Sequence, residues 1–225
     1  MKVIDIHPHV IAADEQRYPR APLGGKSSDW SRERPVDAAQ MLKAMDEAGI
    51  ERSVLVQAST CYGHDNSYVA DAVAAHPKRF AGVFSVDMLA PDASQHIKSW
   101  KDKGLSGLRV FIAGQTTSHD ARLDDPRSFP GWLTAVELKL PVCVQCRAPH
   151  LPQLEVLLKE FPAARIILDH MGRPDAEAPA PLFALARYPN LYLKFTTHNV
   201  RDPASPHTFL RRVVDAFGAA RIAWG

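Results

Sequence analysis

Cysteine is scarce in this chain, with three in 225 residues. That excludes a disulfide-stapled secreted scaffold and fits a reducing compartment. Long apolar runs are missing too, and no stretch approaches the roughly 20 residues that a membrane span requires. No block of basic residues stands out, and the net charge is only +2 with both signs mixed along the chain. This argues against nucleic acid or an anionic membrane surface as a partner. No glycine-rich phosphate loop follows an early strand, which removes the main support for a doubly wound nucleotide-binding sheet. No leader pattern precedes the first strand, since Met1-Lys2 runs directly into it, and the expected location is the cytoplasm. Cys143 and Cys146 do form a C-x-x-C. They lie in Pro141-Val142-Cys143-Val144-Gln145-Cys146, a strand-like run in which positions i and i+3 face opposite ways, so a shared metal or redox role is not expected.

What is present is a rhythm. Short apolar or β-branched runs occur at Val3–His7, Ser53–Ala58, Phe80–Asp87, Gly107–Phe111, Pro141–Cys146, Arg165–His170, Leu191–Thr196 and Arg221–Gly225. Helical periodicity fills the intervals, as in Met41, Leu42, Met45 and Ala48 of the 36–48 segment. Further helices are predicted over 67–75, 93–103, 129–138, 151–161, 181–188 and 208–217. Gly49 and Gly104 occupy helix-end positions, and Pro77, Pro141, Pro162 and Pro189 follow helices closely. A hydrophobic fraction of 46% supports a packed core. Eight strand–helix units in a chain of this size predict one α/β domain, a TIM-like (β/α)8 barrel. Residues 10 to 36 interrupt the rhythm as a long loop that could fold over a substrate.

The first strand ends in Asp5-Ile6-His7-Pro8-His9. Alternation places Asp5, His7 and His9 on one face, so two imidazoles converge at a strand end, suited to holding a metal or polarising a carbonyl. Barrel active sites form at the carboxyl ends of the strands. Strand two supplies Gln57 and the loop Tyr62-Gly63-His64-Asp65-Asn66. Strand three supplies Asp87, strand four Arg109, strand five Gln145 and Arg147, strand six Asp169 and His170, and strand seven Lys194, although alternation from His170 turns Asp169 away from the cavity. Polar groups recur at the ends of strands whose middles are apolar, and buried polar groups are costly unless paired or used. Arg109, Arg147, Arg173 and Lys194 make the predicted mouth positive. Arginine pairs bidentately with carboxylates, which points to an anionic small-molecule substrate. Internal pairing of some of these cations with Asp87 or Asp169 is the competing reading.

The H-x-H of His7 and His9, the segment Leu168-Asp169-His170-Met171-Gly172-Arg173-Pro174, and Ile222-Ala223-Trp224-Gly225 together resemble the amidohydrolase superfamily. The resemblance is to the amidohydrolase-related group that includes 2-pyrone-4,6-dicarboxylate lactonase and sugar lactonases. It implies a barrel and the hydrolysis of a lactone, with His7, His9 and His170 around the reacting carbonyl. In many superfamily members the H-x-H binds a divalent metal, typically zinc, so His7, His9 and His170 are the metal ligands if one is bound. In the lactonase branch the histidines and arginines can polarise the substrate directly. Arg109 and Gln145 stand where further metal ligands are usual, and neither is a good zinc ligand. The family pattern continues after Trp-Gly to an aspartate that acts as general base. This sequence stops at Gly225, and one barrel domain over 1–225 without its C-terminal portion is the expectation.

The expected function is therefore a hydrolase opening a small anionic lactone. Gln57, Tyr62, Arg109, Gln145, Arg147, Arg173 and Lys194 are the candidate substrate-binding residues, and a homo-oligomer is possible for this fold. Two alternatives stand beside it. One is a metal-dependent decarboxylase of aromatic or muconate-type acids on the same barrel. The other is a non-catalytic ligand-binding barrel.

Overall fold

The computed structural model describes residues 2–112, 122–173, 179–196 and 206–225. Eight strands form one parallel sheet in sequential order: β1 (Val3–Asp5), β2 (Ile50–Val56), β3 (Phe80–Ser85), β4 (Gly107–Phe111), β5 (Pro141–Gln145), β6 (Arg165–Leu168), β7 (Leu191–Phe195) and β8 (Ile222–Trp224). The Ile6 N–H donates to the Trp224 carbonyl at 3.4 Å and ties β8 back to β1. The sheet is thus a nearly closed barrel, as the alternation predicted.

The helices are α1 (Asp29–Glu33), α2 (Ala38–Glu47), α3 (Ser59–Tyr62), α4 (Ser67–Ala75), α5 (Ala93–Asp102), α6 (Phe129–Glu137), α7 (Leu151–Glu160), α8 (Ala180–Ala184) and α9 (Pro206–Phe217). Their starts and stops follow local chemistry. Asp37 and Gln40 form a reciprocal capping box that starts α2. At the end of α6, Leu140 N–H donates to Ala135 O and Lys139 N–H to Val136 O, both at 2.9 Å. This is a Schellman closure, and it holds Lys139 at φ +55°. The predicted helices over 36–48, 67–75, 93–103, 129–138 and 151–161 are all present within a residue or two. The one over 181–188 is a single turn, α8, followed by a 3-10 turn at Leu185–Arg187.

Parallel strands covered by helices bury both faces. Outward positions Leu55, Phe84, Leu108, Val142, Val144, Ile166, Leu168, Leu191 and Leu193 join one core with Trp132, Leu154 and Ile97 from the helices. Inside the barrel a small apolar floor is built from Val56, Val83 and Cys143, with Val54 and Ile167 packed against it. Cys143 belongs to that floor and Cys146 to the outer core, so the C-x-x-C is divided between two faces. Burial pushes both thiols up to about 12. Two residues beyond the floor, toward the carboxyl ends, the inward positions become Ser85, Gln145 and Asp169. That change from apolar to polar within one pleat defines the mouth.

Residues 10–36 are anchored to the barrel through a few buried side chains, while much of the segment stays exposed. Ile11, Ala12 and Tyr18 cluster with Ala58, Cys61 and Tyr62, and Trp30 packs on the same group. The Ala21 N–H donates to Cys61 O at 2.9 Å, which brings the Ala21 carbonyl against Gly63. A Cβ at Gly63 would stand 2.6 Å from that carbonyl oxygen, and φ there is +57°, so glycine is required on both counts.

Candidate active site

His7 sits just beyond β1 with its side chain only 5% exposed. Its Nδ1 is hydrogen-bonded to Lys194 Nζ. Lys194 is 1% exposed and also donates to Asp169 Oδ1 at 2.8 Å, where Asp169 is fully buried. Arg109, 3% exposed, approaches the same carboxylate with Nε 3.8 Å from Oδ2. Arg109 further donates from Nη1 to the Gln57 carbonyl at 2.6 Å and from Nη2 to Gln145 Oε1. Strands β1, β4, β5, β6 and β7 thus meet in one buried polar layer with two fixed cations and one fixed anion. A buried ion pair alone is weak support for stability. Here the pairing fixes where side chains point.

His9 and His170 complete the mouth. The His7 ring centroid lies 4.9 Å from His9 and 5.4 Å from His170, both edge-on. His9 Nδ1 is 2.7 Å from the Val56 carbonyl, which can only accept, so Nδ1 carries the proton and Nε2 keeps its lone pair. Trp30 stacks on His9 with ring centroids 5.2 Å apart. His170 Nδ1 lies 3.0 Å from Thr196 Oγ1. His170 and Met171 have φ of +53° and +54°, and Arg173 follows at +47°. Left-handed conformations at non-glycine residues cost about 1–3 kcal/mol each and cluster at functional sites. The turn swings His170 toward the same space as Asp169.

That turn corrects one step of the sequence argument. Strict alternation from His170 turns Asp169 away from the cavity. In the structure β6 ends at Leu168 and the chain leaves the strand through a left-handed 3-10 turn, so both residues point inward.

Electrostatics keep His7 and His9 neutral. Burial, reinforced by the Lys194 charge, holds His7 well below the ordinary histidine value. Burial followed by the Arg109 charge lowers His9 to about 3. Burial also lowers Lys194, against the pull of Asp169. Burial raises Asp5, against its hydrogen bond from the His7 amide.

The expected site residues divide into three groups. His7, His9 and His170 come together at the mouth. Arg109, Gln145 and Lys194 reach the cavity layer, yet their polar ends are committed to one another, to Asp169 or to His7. Gln57 and Tyr62 are buried anchors. Gln57 Nε2 donates to the Asp65 carbonyl at 2.6 Å, and the Tyr62 hydroxyl accepts from the Ala12 N–H at 2.8 Å. Arg147 and Arg173 are exposed on the loops that follow β5 and β6. Pro174 of the strand-six motif lies outside the described residues. Asp87 caps a turn through its bond from the Leu89 N–H and takes no part in this layer. Sequence reading missed Thr196 and Trp30 as neighbours of the histidines. Thr196 was legible as the inward position two residues after Lys194, whereas nothing in the loop sequence singled out Trp30 as the partner of His9.

A divalent metal ion fits these donors poorly. Among the described residues, no three His, Cys, Asp or Glu side chains gather as a metal-holding group. His7 Nδ1 faces an ammonium, and a guanidinium stands in the same layer. A divalent cation placed there would stand beside the Lys194 and Arg109 charges, offset only in part by Asp169.

An eight-stranded barrel with an H-x-H on its first strand and a third histidine after its sixth defines a hydrolase-type site of one class. The amidohydrolase family model matches residues 4–225, and the chain belongs to that family. Among its relatives is the L-fucono-1,5-lactonase of Burkholderia ambifaria, 28% identical over 99% of this chain and 78% of that protein. A structure assigned as a 2-pyrone-4,6-dicarboxylic acid hydrolase from Pseudomonas putida superposes with a TM-score of 0.80 at 22% identity, covering 100% of this chain and 81% of that one. An amidohydrolase from Burkholderia multivorans with bound zinc gives 0.77 at 22% identity, covering 100% and 84%. Among the described residues no helix is long and apolar enough to cross a membrane.

Proposed function

We propose that this protein opens a small anionic lactone by hydrolysis. The observation that carries the reading is the convergence of three imidazoles at the barrel mouth, two of them held neutral, above a buried layer of two cations and one anion. The likeness to a sugar lactonase supports the same bond type. In the reaction a water oxygen bonds to the lactone carbonyl carbon and the ring C–O bond breaks. One water proton ends on the released hydroxyl and the other leaves with ionisation of the new acid.

The chain's own groups act on that path as follows. His7 and His170 polarise the carbonyl oxygen, and His9 presents the Nε2 lone pair that orients the water. The Lys194 and Arg109 charges, only partly offset by Asp169, favour the developing oxyanion. Each well-placed donor contributes roughly 3–4 kcal/mol to such an intermediate. Arg147 and Arg173, exposed on the rim, hold the substrate's anionic group, while Gln57 and Tyr62 act by fixing the loops. This reading gives the polarising role to the chain's own groups.

The test is turnover of sugar-derived and dicarboxylate lactones, followed by acid release. His170→Ala is expected to lower kcat/KM at least about 100-fold while the thermal unfolding midpoint stays near that of the parent. Unchanged turnover in this variant, or no lactone opened by the parent, overturns the reading.

A further inference from the structure

We propose that Lys194 is a positioning residue for His7: its ammonium, clamped by Asp169, donates to His7 Nδ1 and fixes the ring as the Nε2–H tautomer, making His7 a hydrogen-bond donor. The chemical use of that donor rests on the lactone reading, but the tautomer itself does not.

A lysine ammonium has three donors and no acceptor. Lys194 Nζ meets two acceptors, Asp169 Oδ1 at 2.8 Å and His7 Nδ1. With Nδ1 accepting, the single proton of a neutral imidazole belongs on Nε2. That Nε2 is buried and has no hydrogen-bond partner among the described residues. A buried N–H left open costs about 1–3 kcal/mol, a cost that a carbonyl or oxyanion oxygen of a bound substrate would remove.

The arrangement without the lysine is instructive. Asp169 Oδ1 lies 3.8 Å from His7 Nδ1. If it bonded that nitrogen directly, Nδ1 would carry the proton and Nε2 would expose a lone pair. A carboxylate behind a histidine is the usual support of a metal-ligating imidazole. Lys194 stands between the two and reverses the polarity of the ring. His9, oriented by the Val56 carbonyl, keeps the opposite polarity. The two histidines of one motif therefore present a donor and an acceptor to the same space, suited to a carbonyl oxygen and to a water respectively.

The experiment is nitrogen-15 NMR of ring-labelled histidines, with His7 assigned by loss of its signals in His7→Gln. The parent is expected to show His7 protonated at Nε2 and bare at Nδ1. Lys194→Met should remove that bias, whereas Lys194→Gln, which keeps an N–H donor, should retain it. In the kinetics Lys194→Met is expected to lower kcat about 100-fold with KM little changed, since the donor acts mainly in the transition state. Lys194→Gln should recover part of that loss. Zinc, added alone, should bind Lys194→Met at least about 10-fold more tightly than the parent, because Asp169 then supports His7 as a ligand. A parent His7 protonated at Nδ1, or a tautomer unchanged in Lys194→Met, overturns the proposal. Should Lys194→Met fail to fold, the parent spectrum and Lys194→Gln decide it. The expected tautomers in a protein that opens no lactone would uphold the Lys194 role and sink the functional reading alone. The converse result would separate them the other way.

Discussion

Asp169→Ala tests the buried charge layer most directly. The substitution removes the carboxylate that faces Lys194 at 2.8 Å and Arg109 at 3.8 Å. Breaking a buried pair by deleting one partner costs about 3–5 kcal/mol, because the remaining charge is left without compensation. Two cations are stranded here, which points to the upper part of that range. Lys194 has a relief path, since burial already lowers its proton affinity. Losing the proton would remove the stranded ammonium, so the gap between parent and variant should narrow as the pH rises. The companion is Asp169→Ala with Lys194→Met. Replacing both members of a buried ion pair by apolar groups is often near neutral, so the double variant should be at least about 2 kcal/mol more stable than Asp169→Ala alone. The assay is guanidinium unfolding of all four proteins in one buffer, analysed as a double-mutant cycle. A loss below about 1 kcal/mol in Asp169→Ala, or a double variant no more stable than the single, would refute the argument that these charges hold one another in the barrel.

Two further expectations concern stability alone. His9 is held at about 3 in the folded protein against an ordinary value of 6.5. Above the higher value both states are neutral, and the folded state keeps its full stability. Below it the unfolded chain takes up the proton first, so stability falls by up to about 1.4 kcal/mol per pH unit until the folded pKa is reached. Between pH 7.5 and pH 5 that amounts to about 2 kcal/mol for His9, with His7 acting in the same direction. Urea unfolding across that range checks it, and a flat profile in the parent, or one unaltered in His9→Gln, would contradict it. Lys139 is exposed at φ +55° in the Schellman closure of α6. Lys139→Gly should stabilise the protein by about 1 kcal/mol by removing the left-handed penalty. A lower unfolding midpoint would show that the side chain contributes more than its backbone costs.

The barrel was legible because each strand is a short run with turn chemistry on both sides, and a β-branched or apolar strand needs no partner in sequence to be recognised. All eight strands appear where expected, and the polar ring at their carboxyl ends gathers His7, His9 and His170. Pairing inside the barrel was not legible. Whether Arg109 and Lys194 face a substrate or a carboxylate depends on which strand ends share a level, and sequence spacing does not carry that information. Asp169 was misplaced because alternation was counted from His170, which has already left the strand. Counted from Ile167, a floor residue, it turns inward. Helices α1 and α3 span five and four residues and show no period to detect. The loop before α2 could be seen as long, but its docking on α3 rests on individual backbone contacts.

The bond from Lys194 to His7 joins residues 187 positions apart. Contacts of such separation require the intervening chain to be ordered first, and they form late when folding proceeds from local structure. His7 follows the first strand of the barrel, yet its ring orientation is settled only when β7 arrives. Half a barrel therefore holds the histidine pair without its polarity. Activity would report ring closure itself, and a nascent or nicked form could display the H-x-H motif while remaining chemically silent.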